Sequence, residues 1–562
     1  MDIQRYLLIA ASVILGIMLL GEWTAFKEAN QAPVDRPRLA TSSADEANTL
    51  NAENSSLPND TTSNLDLPEV TVDNTNNALP TATNNLVTVK TSTLEVVIDL
   101  KGGDIVEAAL PAFPDTITNP DIPFVILEKN DSRTYVAQSG FVGKDGFDIP
   151  DRAQYRAESQ LYTQSNNESL QVPLTLSNSA TGIEVIKTFT FTPGSYLIDI
   201  SYTITNNGSS RWEAIPFAQL KRDSSLPPAA DTSGFGMQPF LGAATTTADD
   251  RFKKFNFSDL ADESWKISQE GAWIAILQHY FLSALVPAPE DTQKYFARQT
   301  TTGFNLAGFT GPPVIVDPGN QGHYRAQLYV GPKDQYALAA ISPHLELTVD
   351  YGWLWWIAQP LFWLLTKIQS FVGNWGVAII LLTVLVKGAF FQLSAASYKS
   401  MAKMRKVQPK MQSIREQYAD DKQKQSQAMM ELYKKEKINP MGGCLPILIQ
   451  MPVFIALYWV LMESVELRQA PFALWIDDLS VMDPYFVLPL LMGASMFFMQ
   501  KLNPPPPDPM QAKIMQWLPI VFTFFFLWFP AGLVLYWVIN NLLSMAQQWV
   551  ITRRIEREGA KA

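Results

Sequence analysis

A single lysine inside an apolar segment is the residue best placed to do chemistry in the second half of the chain. Lys387 lies about eleven residues into the run from Gly376 to Leu393, where an unpaired cation costs about 2–4 kcal/mol or more in a bilayer. Thr383 precedes it by one helical turn on the same face. No acidic residue lies well inside the five apolar runs of this half. Two interpretations stay open: a hydrated polar groove within the membrane, or a side chain that extends to the inner surface.

Uncharged polar residues recur inside the neighbouring apolar runs and could line the same groove. They are Gln450, Gln516, Thr523, Asn540 and Asn541. Proton or ion transport is disfavoured, because it needs a relay of ionisable groups and one lysine without an acidic partner is not a relay. An ion-conducting channel remains an alternative.

The other chemistry-bearing residues form no catalytic or metal-binding pattern. Cys444 is the only cysteine, which excludes an intramolecular disulfide and multi-cysteine metal sites. The three histidines, at positions 279, 323 and 344, leave little material for a histidine metal site. There is no phosphate-binding loop. We therefore expect no enzymatic activity, no metal and no cofactor, with a carbohydrate-binding or enzymatic outer domain as the rival of another class.

The first 347 of the 562 residues predict an anchor, a linker and a β domain. Residues 1–26 contain an apolar run long enough to span a bilayer, and no small-residue cleavage site closes it, so an uncleaved anchor is predicted. Residues 27–85 are rich in Asn, Thr, Ser and Pro and predict a flexible linker. In residues 86–347 apolar and polar residues alternate between Pro-Gly and Asn-Gly turns, which predicts a large all-β sandwich.

A multi-helix membrane domain is predicted from residue 351 onward. Residues 351–371 are rich in tryptophan, which is typical of an amphipathic helix lying in the headgroup layer. Five transmembrane helices are predicted at 372–397, 443–466, 485–500, 512–528 and 532–551. Between them lie a helical hairpin at 398–438, a loop at 467–484 and a proline-rich loop at 501–511, with a tail at 552–562. The predicted fold class is a multi-domain membrane protein with an all-α five-helix core, an anchor helix and an all-β outer domain.

The distribution of charge predicts the orientation of these elements. Residues 27–350 carry a net charge of −17 and residues 351–562 a net charge of +7. The hairpin holds eleven Lys and Arg against five Asp and Glu, while the loop at 467–484 holds one Arg and three Asp. By the positive-inside rule the hairpin, the tail and both termini are cytoplasmic. The β domain then lies on the outer side of the membrane.

The predicted hairpin contains several methionines along its length. Pro409 and the break at Ala419–Asp421 separate its two helices. Methionine suits surfaces that accept varied apolar partners, but simple packing between the two helices explains these residues equally well. The basic charge could meet anionic lipid, ribosomal RNA or a nascent chain. No RNA-binding motif accompanies it, and we expect no specific DNA binding.

The second half resembles the YidC family of membrane protein insertases. Five stretches carry the resemblance, in the family's order and spacing. They are GNWGVAIILLTVLVKG (Gly373–Gly388), SMAKMRKVQPKMQSIRE (Ser400–Glu416), NPMGGCLPILIQMPVFIALYWVL (Asn439–Leu461), SVELRQAPFALWIDDLS (Ser464–Ser480) and FFLWFPAGLVLYWVINN (Phe525–Asn541). The anchor and the outer β domain are similar in layout to the Gram-negative members.

The resemblance implies a hydrophilic groove in the five-helix core, open to the cytoplasm and to lipid. Such a groove lowers the cost of bringing a substrate's polar segment into the membrane. The family's basic groove residue, usually arginine, falls on Lys387, which keeps the charge but lacks the planar fork of arginine. The other implied groove positions are Thr383, Gln450, Trp528, Tyr536 and Trp537.

The resemblance also implies a function and partners. The function is that of a non-enzymatic insertase and folding chaperone for inner-membrane proteins, acting alone or with the Sec translocon and its accessory subunits. The hairpin would receive newly made membrane proteins, the ribosome or targeting factors, next to membrane lipid. The outer domain, by analogy a supersandwich like that of sugar mutarotases, would dock partners. The implied hairpin contact residues are Met404, Arg405, Lys406, Lys410 and Arg415.

Overall fold

The protein consists of a β domain followed by a helical domain, as the predicted fold class requires. The computed structural model describes residues 85–559 apart from 166–167, 179–180, 228–238, 420, 437–444 and 503–508. The predicted anchor (1–26) and the predicted linker (27–85), except its last residue, lie outside the described residues.

The described part of the β domain contains twenty strands. In chain order they are β1 Leu86–Lys90, β2 Glu95–Asp99, β3 Asp104–Thr116, β4 Asn119–Lys129, β5 Thr134–Val142, β6 Arg156–Ala157, β7 Leu161–Thr163, β8 Leu170–Asn178, β9 Ile183–Phe191, β10 Leu197–Asn206, β11 Trp212–Arg222, β12 Gly242–Thr245, β13 Lys253–Asn256, β14 Trp265–Gln269, β15 Ile274–Leu277, β16 Phe281–Pro287, β17 Gln293–Gln299, β18 Asn305–Thr310, β19 Val314–Val316 and β20 Gln321–Pro332. Two short helices, α1 (Phe257–Asp262) and α2 (Gln335–Ile341), interrupt or follow them.

The strands form two sheets. The eleven-stranded sheet has the order β14-β17-β18-β11-β5-β4-β3-β2-β1-β7, with β19 paired to β11. The nine-stranded sheet has the order β13-β12-β15-β16-β20-β10-β9-β8-β6. Pairing is antiparallel except between β1 and β7. The strands β9 and β10 form a long antiparallel hairpin, with Ile198 opposite Phe191. Its turn uses Gly194 at φ 71°, a conformation that glycine adopts without steric cost.

Alternation within the strands buries one face of each sheet against the other. Every second residue of β9 is buried: the apolar Ile183, Val185, Phe189 and Phe191, with Lys187 at the middle position of the five. The hydroxyls of Ser139 in β5 and Tyr202 in β10 lie 2.8 Å apart. That contact joins the two sheets through the interior.

The helical domain follows β20 and α2. Its helices are α3 Trp355–Val372, α4 Trp375–Ala389, α5 Phe391–Gln417, α6 Lys422–Lys435, α7 Leu445–Glu463, α8 Val487–Leu502, α9 Pro509–Phe525 and α10 Ala531–Gly559. Short 3-10 turns lie at Leu345–Thr348, Gly352–Leu354, Val465–Leu467 and Phe526–Trp528. Buried apolar residues of α3, α4, α7, α8 and α10 form one continuous core with residues of β12, β15 and β16.

The predicted helix at 372–397 is not continuous. It breaks at Phe390, whose ψ is 10°, and α5 leaves at 67° to α4. Gly388 precedes the break, and glycine is a poor helix former, so the chain bends there at low cost. Within the described part of the chain, no helix alone has both the length and the apolar character to cross a bilayer, whereas the bent pair α4 and α5 meets that requirement together.

Candidate functional site

Helix α4 places Lys387 at the centre of the helical domain. Asn374 caps its N-terminus, with the side-chain oxygen accepting from the backbone N–H of Val377 at 3.0 Å. The same side chain donates to the carbonyl of Phe472 at 2.9 Å. This hydrogen bond joins the start of α4 to the loop that follows α7. One face of α4 is buried and the other exposes Leu381, Val384 and Leu385. Lys387 lies in the last turn, where its side chain is half-buried.

The ammonium group of Lys387 has two neutral partners. Its Nζ donates to Gln450 Oε1 at 3.1 Å and to Ser544 Oγ at 2.8 Å. The partners come from α7 and α10, so three helices meet at this atom. The sequence alone left a hydrated groove and extension to the inner surface open, and in the structure two uncharged side chains accept hydrogen bonds from the ammonium. Among the described residues, no carboxylate forms an ion pair with Lys387.

Gln450 connects Lys387 to the polar face of α10. Its amide oxygen accepts from Lys387, and its amide nitrogen donates to Tyr536 OH at 3.1 Å and to the side-chain oxygen of Asn540. Ser544 in turn donates to the carbonyl of Asn540 at 2.7 Å. We call Lys387, Gln450, Tyr536, Asn540 and Ser544 the polar site.

Two predicted groove residues lie next to the polar site and take other partners. Thr383 is fully buried, and its hydroxyl donates to the carbonyl of Ile379 in its own helix at 2.6 Å. The ring of Trp537 packs edge-on against Phe454, with the centroids 4.5 Å apart, and also contacts Phe526. Tyr536 and Trp537 therefore point in different directions, one to the polar site and the other into an aromatic cluster.

Trp528 belongs to the turn that follows α9. It closes the 3-10 turn Phe526–Trp528, and its ring lies edge-on to Phe524 at 4.9 Å. The structure thus brings together Lys387, Gln450 and Tyr536, places Thr383 one turn away, and puts Trp528 in a separate aromatic pair.

Asn540 and Ser544 belong to the polar site but were not predicted as site residues. Asn540 was recognised only as a polar residue within an apolar run, and Ser544 was not singled out. The spacing Tyr536, Asn540, Ser544 is four residues each time, which places all three on one face of a helix. That periodicity is a signal that could have identified them.

Of the three remaining polar residues of the apolar runs, Asn541 and Thr523 serve helix packing. Asn541 is buried and donates to Ser495 Oγ at 2.9 Å, which joins α10 to α8. The hydroxyl of Thr523 donates to the carbonyl of Pro519 at 2.6 Å. Thr523 also lies against Gly493, where no side chain would fit. Gln516 is exposed on α9.

Helices α5 and α6 form the hairpin, and its methionines mostly pack between them. Val407 and Met411 are buried, and Met404 and Met429 pack against this pair together with Leu432 and Tyr433. Met430 is more than half exposed. The packing interpretation therefore holds for most of these residues.

The basic residues of the hairpin divide into paired and exposed groups. Arg405 donates to the carbonyl of Leu502 at the end of α8, and Lys410 pairs with Glu436 of the second hairpin helix at 2.7 Å. Lys406 is exposed, and Arg415 is partly covered. Arg405 thus joins the hairpin to the core, while Lys406 is open to a partner.

The polar site can hold hydrogen-bonding groups but offers no bond-breaking chemistry. Its members are one cation, two amides, a phenol and a hydroxyl, so it presents positive charge, donors and acceptors in an apolar setting. In the part of the chain that the structure describes, no group of three or more His, Cys, Asp or Glu could hold a metal ion.

Comparison with known proteins identifies relatives for both domains. Residues 86–364 match the family described as YidC periplasmic domain, and residues 367–558 the family described as 60Kd inner membrane protein. A membrane protein insertase YidC of Pseudomonas fluorescens (strain SBW25) is 50% identical over 567 residues, covering all of both chains. That of Marinomonas sp. (strain MWYL1) is 52% identical over 566 residues, covering 99% of this chain and all of the relative. A solved structure of an active YidC insertase is 19% identical, with a TM-score of 0.37 over 83% of this chain and 92% of that one.

Proposed function

The chain belongs to the YidC family of membrane protein insertases, and from this premise we propose that its substrates meet the polar site around Lys387 on their way into the membrane. The protein is an insertase and not an enzyme, and it lies in the inner membrane with a periplasmic domain. In the proposal α4, α7, α8, α9 and α10 cross the membrane. The hairpin and both termini then face the cytoplasm, and the polar site holds the substrate's hydrophilic segment.

One observation carries the proposal: the charge of Lys387 is solvated by neutral groups rather than cancelled by a carboxylate. An ammonium has three N–H donors, and two of them are used by Gln450 and Ser544. The charge and the third donor remain to attract an acidic or carbonyl-rich stretch of a substrate. In the low dielectric of the membrane this attraction is stronger than in water.

The surroundings of the polar site support a transfer step driven by hydrophobicity. Lipid can reach the apolar face of α4, and α9 exposes Ile514, Trp517 and Val521. A substrate helix that leaves the polar site along these surfaces exchanges water for apolar contacts, which stabilises it without any nucleotide. The polar site meanwhile replaces part of the hydration that the substrate's polar flank loses.

The partners follow from the same arrangement. Newly made membrane proteins are the substrates, and the protein also acts as a chaperone for their folding. Lys406 and the exposed Met430 offer a charged and an apolar contact for an arriving chain, the ribosome or targeting factors. Cooperation with the Sec translocon and with membrane lipid is part of the proposal.

The charge of Lys387 can be tested by complementation in cells depleted of their own insertase. Lys387→Arg, Lys387→Ala and Lys387→Glu would be compared for insertion of a short single-span substrate with an acidic outer tail, scored by protease protection. We expect Arg to support insertion, Ala to lower the rate about tenfold, and Glu to abolish it, because loss and reversal of the charge remove the attraction.

Two controls sharpen this experiment. Lys367→Ala removes an exposed lysine of α3 and should leave insertion unchanged. A substrate whose tail is neutral should respond much less to the Lys387 variants. Equal insertion of the acidic substrate by all variants would show that charge attraction is not the mechanism.

A further inference from the structure

The periplasmic β domain supplies the partners of the outer end of α7. The last carbonyls of a helix lack partners within the helix. Here the carbonyl of Met462 accepts from His279 Nε2 at 2.8 Å, and His279 lies in the turn between β15 and β16. Burial, together with the charge of Lys333, lowers the pKa of His279 to about 3, so the ring is neutral and donates through Nε2.

The neighbouring residue of α7 carries a buried charge that the β domain neutralises. Glu463 pairs with Lys333 at 3.4 Å, and the two side chains are only 4% and 2% exposed. Lys333 directly follows β20, and its backbone N–H donates to the carbonyl of Tyr280, next to His279. A buried charge without its partner is strongly unfavourable, so this ion pair specifies how the helix end and the β domain meet.

The turn after α7 is held by a second part of the β domain. Arg468 donates to the carbonyls of Pro114 and Asp115, near the end of β3, at 2.7 and 2.9 Å. Its guanidinium also lies over the rings of Phe124 and Phe281, at 5.3 and 5.6 Å. Two parts of the β domain therefore contact the outer end of α7: the β15–β16 turn with Lys333 contacts the helix itself, and β3 contacts the turn that follows it.

The same helix carries Gln450, the residue that connects Lys387 to α10. Gln450 precedes Glu463 by thirteen residues, about 20 Å along a helix. Pro452 lies between them and removes one hydrogen bond from the helix ladder. Because the ladder is weakened there, the direction of the helix depends more on contacts at its ends.

We propose that the β domain is a clamp on α7: His279 and Lys333 fix the outer end of this helix and thereby hold Gln450 in register with Lys387. Both act as positioning residues for insertion, and this role rests on the proposed function of the polar site. Lys333 and Glu463 are 130 residues apart in the chain, so the clamp couples the β domain to the helical domain.

A double-mutant cycle on the full-length protein in lipid nanodiscs tests the clamp. Lys333→Met and Glu463→Met each leave a buried charge unpaired. We expect each variant to raise the hydrogen-exchange rate of the α7 amides at 453–463. Insertion should become about threefold to tenfold slower, which lies within the range for coupling through packed elements. The double variant, with two apolar side chains of similar length, and Lys333→Arg should restore both properties. Arg325→Met, which breaks the exposed pair with Asp199 on β10, should change neither.

The outcomes separate the clamp from the polar site. If both single variants kept the wild-type hydrogen-exchange rate in α7, the clamp proposal would be overturned. Slower insertion without faster exchange in α7 would overturn it as well. If a single variant does not fold, the double variant and Lys333→Arg decide, because defective insertion in both would overturn the clamp. Failure of the Lys387 experiment would remove the proposed function but would leave the exchange result as an independent measure of the clamp.

Discussion

At the scale of the residue, the main feature of the polar site is how its neutral side chains solvate the charge of Lys387. Lys387 keeps its charge in an apolar helix because an amide and a hydroxyl accept its hydrogen bonds. Neutral acceptors stabilise the cation without cancelling it, whereas a carboxylate would form an ion pair. The proposed function therefore requires a neutral residue at position 450 as well as a lysine at 387.

A carboxylate introduced beside the lysine should abolish this advantage. Gln450→Glu places a negative charge next to Nζ, and we expect insertion of an acidic-tailed substrate to fall by about tenfold, because close pairing in a low-dielectric site cancels most of the charge. Protease protection of the substrate measures the effect.

Ser544→Ala is the matched control for that change. It removes the other neutral acceptor but leaves the net charge, and a neutral hydrogen bond contributes about 0.5–1.5 kcal/mol. Insertion should fall about threefold at most. An equal loss in both variants would mean that hydrogen bonding, not charge, limits the reaction.

At the scale of the element, small residues determine where two helices can approach closely. Helix α8 meets α9 where Gly493 faces Thr523, and a Cβ on Gly493 would lie 3.1 Å from Thr523 Cβ and closer still to the hydroxyl. Backbones can approach there only because glycine has no side chain. Gly388, by contrast, has no heavy atom within 4 Å of the place where a Cβ would be.

The two glycines should respond in opposite ways to alanine. Gly493→Ala should destabilise the helical domain by about 1–3 kcal/mol, because α8 and α9 must separate. Gly388→Ala should be neutral or slightly stabilising, since alanine favours the helix. The measurement is the temperature at which detergent-solubilised protein loses its main peak in size-exclusion chromatography. Thr523→Ala removes the hydroxyl that a Cβ at position 493 would meet but keeps the Cβ at 3.1 Å, so it should rescue Gly493→Ala in part. Equal losses of stability with and without Thr523→Ala would contradict the packing argument.

At the scale of the whole molecule, a buried lysine makes the stability of the β domain depend on pH. Lys187 lies inside the β sandwich and donates to the carbonyls of Gly102, Gly103 and Ser139 at 2.8–3.2 Å. Burial lowers the pKa of Lys187 to about 7. The unfolded chain, with a lysine pKa of about 10.4, binds this proton more tightly, so stability rises with pH between about 7 and 10.

We therefore expect the β domain to gain about 2 kcal/mol from Lys187 between pH 7 and pH 9. Pulse proteolysis of the full-length protein in urea measures the stability of the β domain, which resists the protease while it is folded. Lys187→Met should remove this part of the pH dependence. An unchanged slope in that variant would show that another group titrates.

Much of this molecule follows from its sequence alone. Two-residue alternation predicted the β domain, and long apolar runs with basic and acidic loops predicted the helical membrane domain, because burial of one face imposes these periods locally. The rarity of a cation in an apolar run was enough to select Lys387. The four-residue spacing of Tyr536, Asn540 and Ser544 is likewise a local pattern, which places the three residues on one helix face.

Only the tertiary structure decided which residues meet. Lys387 contacts partners 63 and 157 positions away, Thr383 turns its hydroxyl to its own helix, and Lys187 finds three carbonyls inside the sandwich. The break at Phe390 and the pairing of Lys333 with Glu463 are of the same kind. Local patterns specify which face of an element is buried, whereas the partner on the other side depends on the packing of the whole chain.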